Sequence, residues 1–375
     1  MTRGKADSET FDKELAVRIG KRIAMYRQRS HLSQGELAQR IGIRQGPLSN
    51  LENGKNLPSA KVLMRLRNVL QVTTDQILDA EISAEIDAKS PSGLMSRMAS
   101  IYGTKQIDEH GLRPHIETIL RCHGTLQSLC CSVAQCASPM IYAFELTNDA
   151  VERVATRLRA YWGIEHTVYI HTAEILEAKG ARVFVMELAE AHPLAVYFDE
   201  STQIPCIFLS ARLDAEQQNY YAAYALARIV LFLRDLSCRE KPHTQELLKD
   251  RLARNMALSF LMPGDMLGRF AANLGLRVDS WDFDILLAAK TQFGVSAETM
   301  IRRLERLCLI SDLAVERFTE QLHNDASPKG ETRLFRYDNR RLGQLLYCAR
   351  RQSPEIAAEI EQSLREILVE LPANL

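Results

Sequence analysis

The stretch Ser33–Pro58, SQGELAQRIGIRQGPLSNLENGKNLP, decides how the first part of the chain folds. Ser33 with Glu36 three residues later makes a capping box, so a helix opens at Gln34 and runs to about Ile41 with Leu37, Ala38 and Ile41 turned inward. Gly42 stops it. After the Gly42-Ile43 turn, Arg44 to Leu51 forms a short third helix, with Pro47 in the first turn, where its missing N–H does little harm. Upstream, Leu15, Ile19, Ile23 and Tyr26 recur at helical spacing over Leu15–Arg29, and Arg18, Lys21, Arg22, Arg27 and Arg29 take the remaining faces. Downstream, Lys61–Leu70 and Thr73–Leu78 read as fourth and fifth helices. The acidic stretch Asp79–Pro91, ending in a Ser-Pro-Ser-Gly turn, reads as a linker.

The chain as a whole, 375 residues of which 46% are hydrophobic and 25% charged, has the makeup of a folded protein of two or three domains. Disorder is excluded by that composition. The longest nearly apolar run, Tyr220–Leu233, is interrupted by Arg228 and is too short to cross a bilayer, and the first ten residues lack the apolar core of a signal peptide. A cytoplasmic protein is the expectation. The eight cysteines form no C-x-x-C pair and are too dilute for a disulfide scaffold. The net charge of zero conceals an asymmetry: the first 80 residues hold 14 Lys and Arg against 8 Asp and Glu, the rest 33 against 39. A polyanion is therefore expected at the N-terminal end.

Ser33–Pro58 resembles the phage-repressor type of helix-turn-helix, the XRE family. The Ser-Gln opening, Glu-Leu-Ala core, glycine turn, Leu-x-x-Leu-Glu-Asn-Gly helix end and downstream proline carry the likeness, which covers about 65 residues with the flanking helices. The resemblance implies that Gln34 holds a phosphate, that Arg44, Gln45 and Asn50 face bases in the major groove, and that Lys55 lies near the backbone. The chemistry agrees, since Gln and Asn offer a donor and an acceptor together to adenine and Arg forks onto guanine. One departure is Gly46, followed by Pro47, at a position that often carries a base-reading side chain.

Between Ile116 and Ala137 a helical region contains Cys122, Cys130, Cys131 and Cys136, with His110, His115 and His123 nearby, but no ligand-pair spacing. Buried apolar cysteines are the plainer reading. From Ala150 on, the order is a helix to Trp162, Val168-Tyr169-Ile170, a helix over Ala173–Lys179, strands at Ala181–Glu187, Ala195–Asp199 and Cys206–Leu209, then helices from Gln217. Six pieces in that order resemble the ImmA/IrrE family of zinc peptidases: RVATRLRAYWGIEHTVYI, ILEAKGARVFVM, PLAVYFDE, IPCIFLSARL, RNMALSFLMPGDML and FGVSAETMIRRLERLCLI. The likeness spans about Val151–Ile310 and implies a zincin-like fold with H-E-x-x-H on the helix after the third strand. Here that helix has Tyr224, Ala225 and Arg228 where the two His and the Glu belong, and the acidic third ligand falls at Leu252, with Asp250 the nearest carboxylate. A guanidinium in the place of a divalent ion argues further against metal.

The expected architecture is thus multidomain: an all-α helix-turn-helix domain over 14–80, a linker and helical connector over 81–149, an α+β peptidase-like domain over 150–310, and a helical region over 311–375. In the last, Ser353–Leu371 turns Ile356, Ile360, Leu364, Ile367, Leu368 and Leu371 inward. The expected function is a DNA-binding transcription regulator, a repressor acting as a homodimer on a double-stranded operator, with no cofactor and no metal. Its degenerate domain would take a small anionic effector or a protein partner, the former in a cleft lined by Tyr224 and Arg228. The alternatives are an antitoxin that binds a toxin and represses its own operon, and a metallopeptidase that cuts a repressor.

Overall fold

The computed structural model describes residues 16–59 apart from 18, 29 and 31, then 62, 65–66, 69–70, 94–130 apart from 96, 144–168, 171–237 apart from 201, 246–324 and 334–368. The Thr73–Leu78 helix, the Asp79–Pro91 linker, Cys131, Cys136 and the Tyr169-Ile170 pair lie outside the described residues. The chain divides into two compact units, Met1–Gly93 and Leu94–Leu375.

In the first unit, α1 covers 19–28, α2 Gln34–Ile41 and α3 Gln45–Glu52. The capping box forms as its spacing requires: the Ser33 hydroxyl accepts from the Glu36 N–H at 3.2 Å, and Glu36 accepts from the Ser33 N–H at 2.7 Å. Gly42, at φ 69°, ends α2. Ile19, Ile23, Leu37, Ala38, Ile41, Leu48, Leu66 and Leu70 make one core. Gly20 lets α1 meet the end of α3, because a Cβ there would stand 2.3 Å from the Leu51 carbonyl oxygen.

The second unit is built on a four-stranded sheet in the order β1-β3-β4-β2, from β1 (Met98–Tyr102), β2 (Arg182–Met186), β3 (Leu194–Asp199) and β4 (Ile204–Ser210). β3 runs antiparallel to both β1 and β4, while β2 and β4 are parallel. Alternation along the strands serves two cores. Val183, Val185, Val196, Ile207 and Leu209 face the larger helical layer, with α6 (Asn148–Tyr161), α7 (Thr172–Ala178), α8 (Ala215–Ser237), α9 (Glu246–Leu261), α11 (Phe283–Phe293) and α12 (Ala297–Arg306). Phe184, Met186, Ala195, Tyr197 and Phe208 face a second layer made by α5 (Arg113–Leu129), α14 (Arg340–Gln352) and α15 (Pro354–Arg365). The shorter α4 (Thr104–Glu109), α10 (Gly264–Asn273) and α13 (Asp312–Asn324) complete the element order.

Two parts of the expected organisation change. Residues 98–129, read as connector, supply the edge strand β1 and the helix α5, so they belong to the larger unit's cores. The C-terminal helices pack on the sheet with α5 rather than standing apart, and Ile356, expected inward, is 39% exposed, whereas Ile360, Leu364 and Leu368 are buried. In the larger layer, Arg303 is fully buried and clamps α6 to α12: it donates to Glu152 at 3.0 and 2.5 Å and to the Met262 carbonyl at 2.8 Å.

Candidate functional site

The surface of the first unit is built from the start of α3. Its N-cap Arg44 and the residues Gln45, Gly46 and Pro47 are exposed, Asn50 is half-buried one turn on, and Lys55 is exposed beyond the helix end. Leu48 and Leu51 hold the opposite face in the core, which fixes the helix and leaves the polar side chains outward. Among the described residues, Arg44, Gln45, Asn50 and Lys55 make no side-chain hydrogen bond. A Cβ added at Gly46 would meet nothing within 4 Å, so this position is an open gap in the exposed face.

Gln34 is not free in the same way. Its Nε2 donates to Glu52 Oε2 at 2.7 Å, and the same carboxylate accepts from Arg27 at 2.7 and 3.2 Å. Arg27 also donates to the Leu32 carbonyl at 2.8 Å. Glu52, only 8% exposed, thereby ties α1, the opening of α2 and the end of α3 together. Sequence reading missed both Arg27 and Glu52. The signal for Glu52 was its place four residues after Leu48 on the inward stripe, where a carboxylate needs a partner. The Ser33 backbone N–H, then its hydroxyl, hold the Glu36 carboxyl below its ordinary range, which keeps a negative charge at the start of α2.

In the second unit Tyr224 and Arg228 lie on one face of α8, as four-residue spacing requires, and both are buried at 3% and 4% exposure. They do not line an open anion cleft. The Tyr224 hydroxyl donates to Asp250, and Arg228 Nη2 donates to Glu246, both carboxylates coming from α9. Asp250 also accepts from Arg254 at 2.9 Å. Burial first, then the Asp250 contact, push the Tyr224 phenol far above its ordinary value, so it stays neutral. The third neighbour comes from β1: Arg228 Nη2 reaches the Ile101 carbonyl at 3.3 Å, its guanidinium lies 4.8 Å from the Tyr102 ring centre, and the Tyr102 and Tyr224 rings meet edge-on at 5.2 Å. Ala225 and Leu252 are buried apolar residues.

The Cys–His region behaves as a core. Cys122 is buried with its thiol pushed up by burial, Cys130 donates to the Leu345 carbonyl at 3.3 Å, and His123 packs edge-on against Phe184 with its pKa driven down to about 3 by burial. Among the described residues, no group of three or more His, Cys, Asp or Glu is placed to hold a metal ion.

Comparison with known proteins follows this division. Residues 23–77 match the helix-turn-helix family model, and residues 176–305 match that of the IrrE N-terminal-like domain. The chain is 36% identical over 69 residues to the ImmF control region 10 kDa protein of Bacillus phage phi105, covering 16% of this chain and 77% of that protein. It is 30% identical over 79 residues to the HTH-type transcriptional regulator ImmR of Bacillus subtilis (strain 168), covering 21% of this chain and 60% of that one. Among solved structures, a Mycobacterium tuberculosis transcriptional regulator is 20% identical with a TM-score of 0.31, covering 41% of this chain and 46% of its own. Bacillus thuringiensis PlcR in complex with the peptide PapR7 and DNA is 12% identical with a TM-score of 0.20, covering 94% and 93%. Likenesses that low bear no weight. The capping box, the glycine turn, the exposed face of α3 and the relatives agree: the chain belongs to the XRE-type helix-turn-helix family of DNA-binding transcription regulators, and carries an IrrE N-terminal-like domain behind that module.

Proposed function

We propose that the chain is a repressor that binds an operator as a homodimer, and that its larger unit is a peptidase-like domain without peptidase activity, used to receive a signal or a partner. The observation that carries the DNA half is the α3 surface. Among the described residues the side chains of Arg44, Gln45 and Asn50 make no hydrogen bond, the first two exposed and the third half-buried, on a helix pinned from behind, which suits base reading in a major groove. Gln34, held by Glu52, is positioned at the start of α2 and contributes its remaining amide hydrogen and the helix N-terminus to a phosphate. Lys55 adds a backbone contact. Two copies related by a two-fold axis place two such helices one DNA turn apart, and a palindromic operator is the matching target.

The residues of the degenerate site do not fit zinc. Tyr224, Ala225, Arg228 and Leu252 offer no imidazole or carboxylate ligand, and Asp250 and Glu246 are taken by Tyr224 and Arg228. Ala225, at the position of the general base, has no side chain that could accept a proton. Purified protein is accordingly expected to hold far less than one equivalent of zinc by elemental analysis; a stoichiometric content would overturn the inactive assignment.

The decisive experiment is selection of bound fragments from random duplex DNA followed by footprinting. Enrichment of a palindrome with half-sites about one helical turn apart is the expected result. Recovery of sequences no different from the input library would remove the regulator reading.

A further inference from the structure

We propose that the face formed by the β3 edge and the Tyr224–Arg228 side of α8 binds an extended peptide bearing an aromatic residue directly after the carbonyl that Arg228 takes, and that residues 98–102 occupy this face in cis as its built-in ligand. Three of the four recognition elements that such a site requires come from β1 itself. Its backbone pairs antiparallel with β3 through Met98–Asp199, Ala99–Phe198, Ser100–Tyr197 and Tyr102–Val196, its Ile101 carbonyl accepts from Arg228, and its Tyr102 ring covers the guanidinium and meets Tyr224. The fourth element is the buried guanidinium of Arg228: its charge is paired with Glu246, and its further N–H donors need carbonyl acceptors because a buried donor left unmet is costly.

This occupant is held loosely. β1 is five residues long and lies at the sheet edge; its register slips between Ser100 and Tyr102, and only Met98 of its side chains is buried. The strands behind it are different: in β3, its neighbour, and in β4 beyond, every residue is buried. The cis ligand also leaves the site incompletely satisfied. Arg228 Nη1 is buried and has no acceptor among the described residues. A strand that is short, bulged and imperfectly matched opens at a lower free energy than the sheet behind it, and its release uncovers a pocket with a defined chemistry.

The test uses a fluorescent peptide with the sequence of residues 97–104, Arg-Met-Ala-Ser-Ile-Tyr-Gly-Thr, titrated into the full-length chain and followed by anisotropy. The tethered strand competes at an effective concentration in the millimolar range, so wild type is expected to bind weakly. A Tyr102→Ala chain, whose own strand has lost its anchor, is expected to bind the peptide at least tenfold more tightly, and a peptide with Ala in place of Tyr is expected not to bind either chain. Equal affinity of both chains for the Tyr peptide, or equal binding of the two peptides, would overturn the proposal. Should Tyr102→Ala fail to fold, hydrogen exchange of the unaltered protein decides: the amides of 98–102 are expected to exchange at least tenfold faster than those of 204–210, and equal protection of the two strands overturns the proposal. Neither measurement involves DNA, so a negative result leaves the operator reading intact.

Discussion

At the scale of single residues, the exposed polar groups of the first unit were legible and their supports were not. Gln45 and Asn50 announce themselves by type and helical position; the first is exposed and the second half-buried. Gln45→Ala and Asn50→Ala are each expected to lower affinity for the operator by about 1–3 kcal/mol while leaving non-specific binding nearly unchanged, measured by titration of specific and scrambled duplexes. Gly46 gives a complementary prediction. Because a side chain there enters open space on a helix, Gly46→Gln is expected to leave the unfolding free energy unchanged or raise it by up to about 1 kcal/mol, and to sharpen base preference at one operator position, read by repeating the selection. Arg27 and Glu52 were missed for a physical reason: their ion pair joins residues 25 positions apart, and no local pattern encodes which buried carboxylate meets which guanidinium. The same holds for Tyr224 and Arg228. Their common face follows from helix geometry, whereas Asp250 and Glu246 reach them from a separate helix 26 and 18 residues away.

At the scale of elements, caps and alternating strands could be read because their causes lie within a few residues. The Ser33–Glu36 box and the β2, β3 and β4 runs are of this kind. β1 was not readable. Met-Ala-Ser-Ile-Tyr lacks a clean alternation, and what makes it a strand is the backbone of β3, paired at Met98–Asp199 across about a hundred residues of sequence. Asn339 shows another long-range device. In the left-handed region at φ 60° and 1% exposed, it uses its side-chain amide as a peptide would, accepting from the Val185 N–H at 2.7 Å and donating to the Val185 carbonyl at 3.0 Å. The residue thus caps the edge of β2 with a single side chain. Asn339→Ala removes both bonds and puts at φ 60° a residue that tolerates the left-handed region less well than asparagine, so a loss of about 3 kcal/mol is expected from the denaturant midpoint.

At the scale of the whole molecule, the two-module organisation and the α+β character were legible, because a basic helix-turn-helix and a helix-strand-meander order differ in both charge and periodicity. The second helical layer was not, since an amphipathic stripe says that a face is buried without saying against what. One titration of the whole molecule follows from the larger unit. Burial raises the Glu177 carboxyl from an ordinary 4.5 to about 7. The folded state therefore keeps a proton that the unfolded state releases, and the stability gained at low pH is lost as pH rises through this window. Unfolding free energy is expected to fall by on the order of 3 kcal/mol between pH 4.5 and 7, and Glu177→Gln is expected to flatten that slope in calorimetry. The layer that covers Phe184, Tyr197 and Phe208 carries a consequence for biosynthesis. It is completed by α14 and α15, residues 340–365, so a ribosome has already released the sheet and α5 before the rest of the cover has been translated. During that interval the part of the aromatic surface that α5 does not cover stands bare, and nascent chains stalled or cleaved before residue 340 present to chaperones and proteases a sticky face that the finished protein does not show.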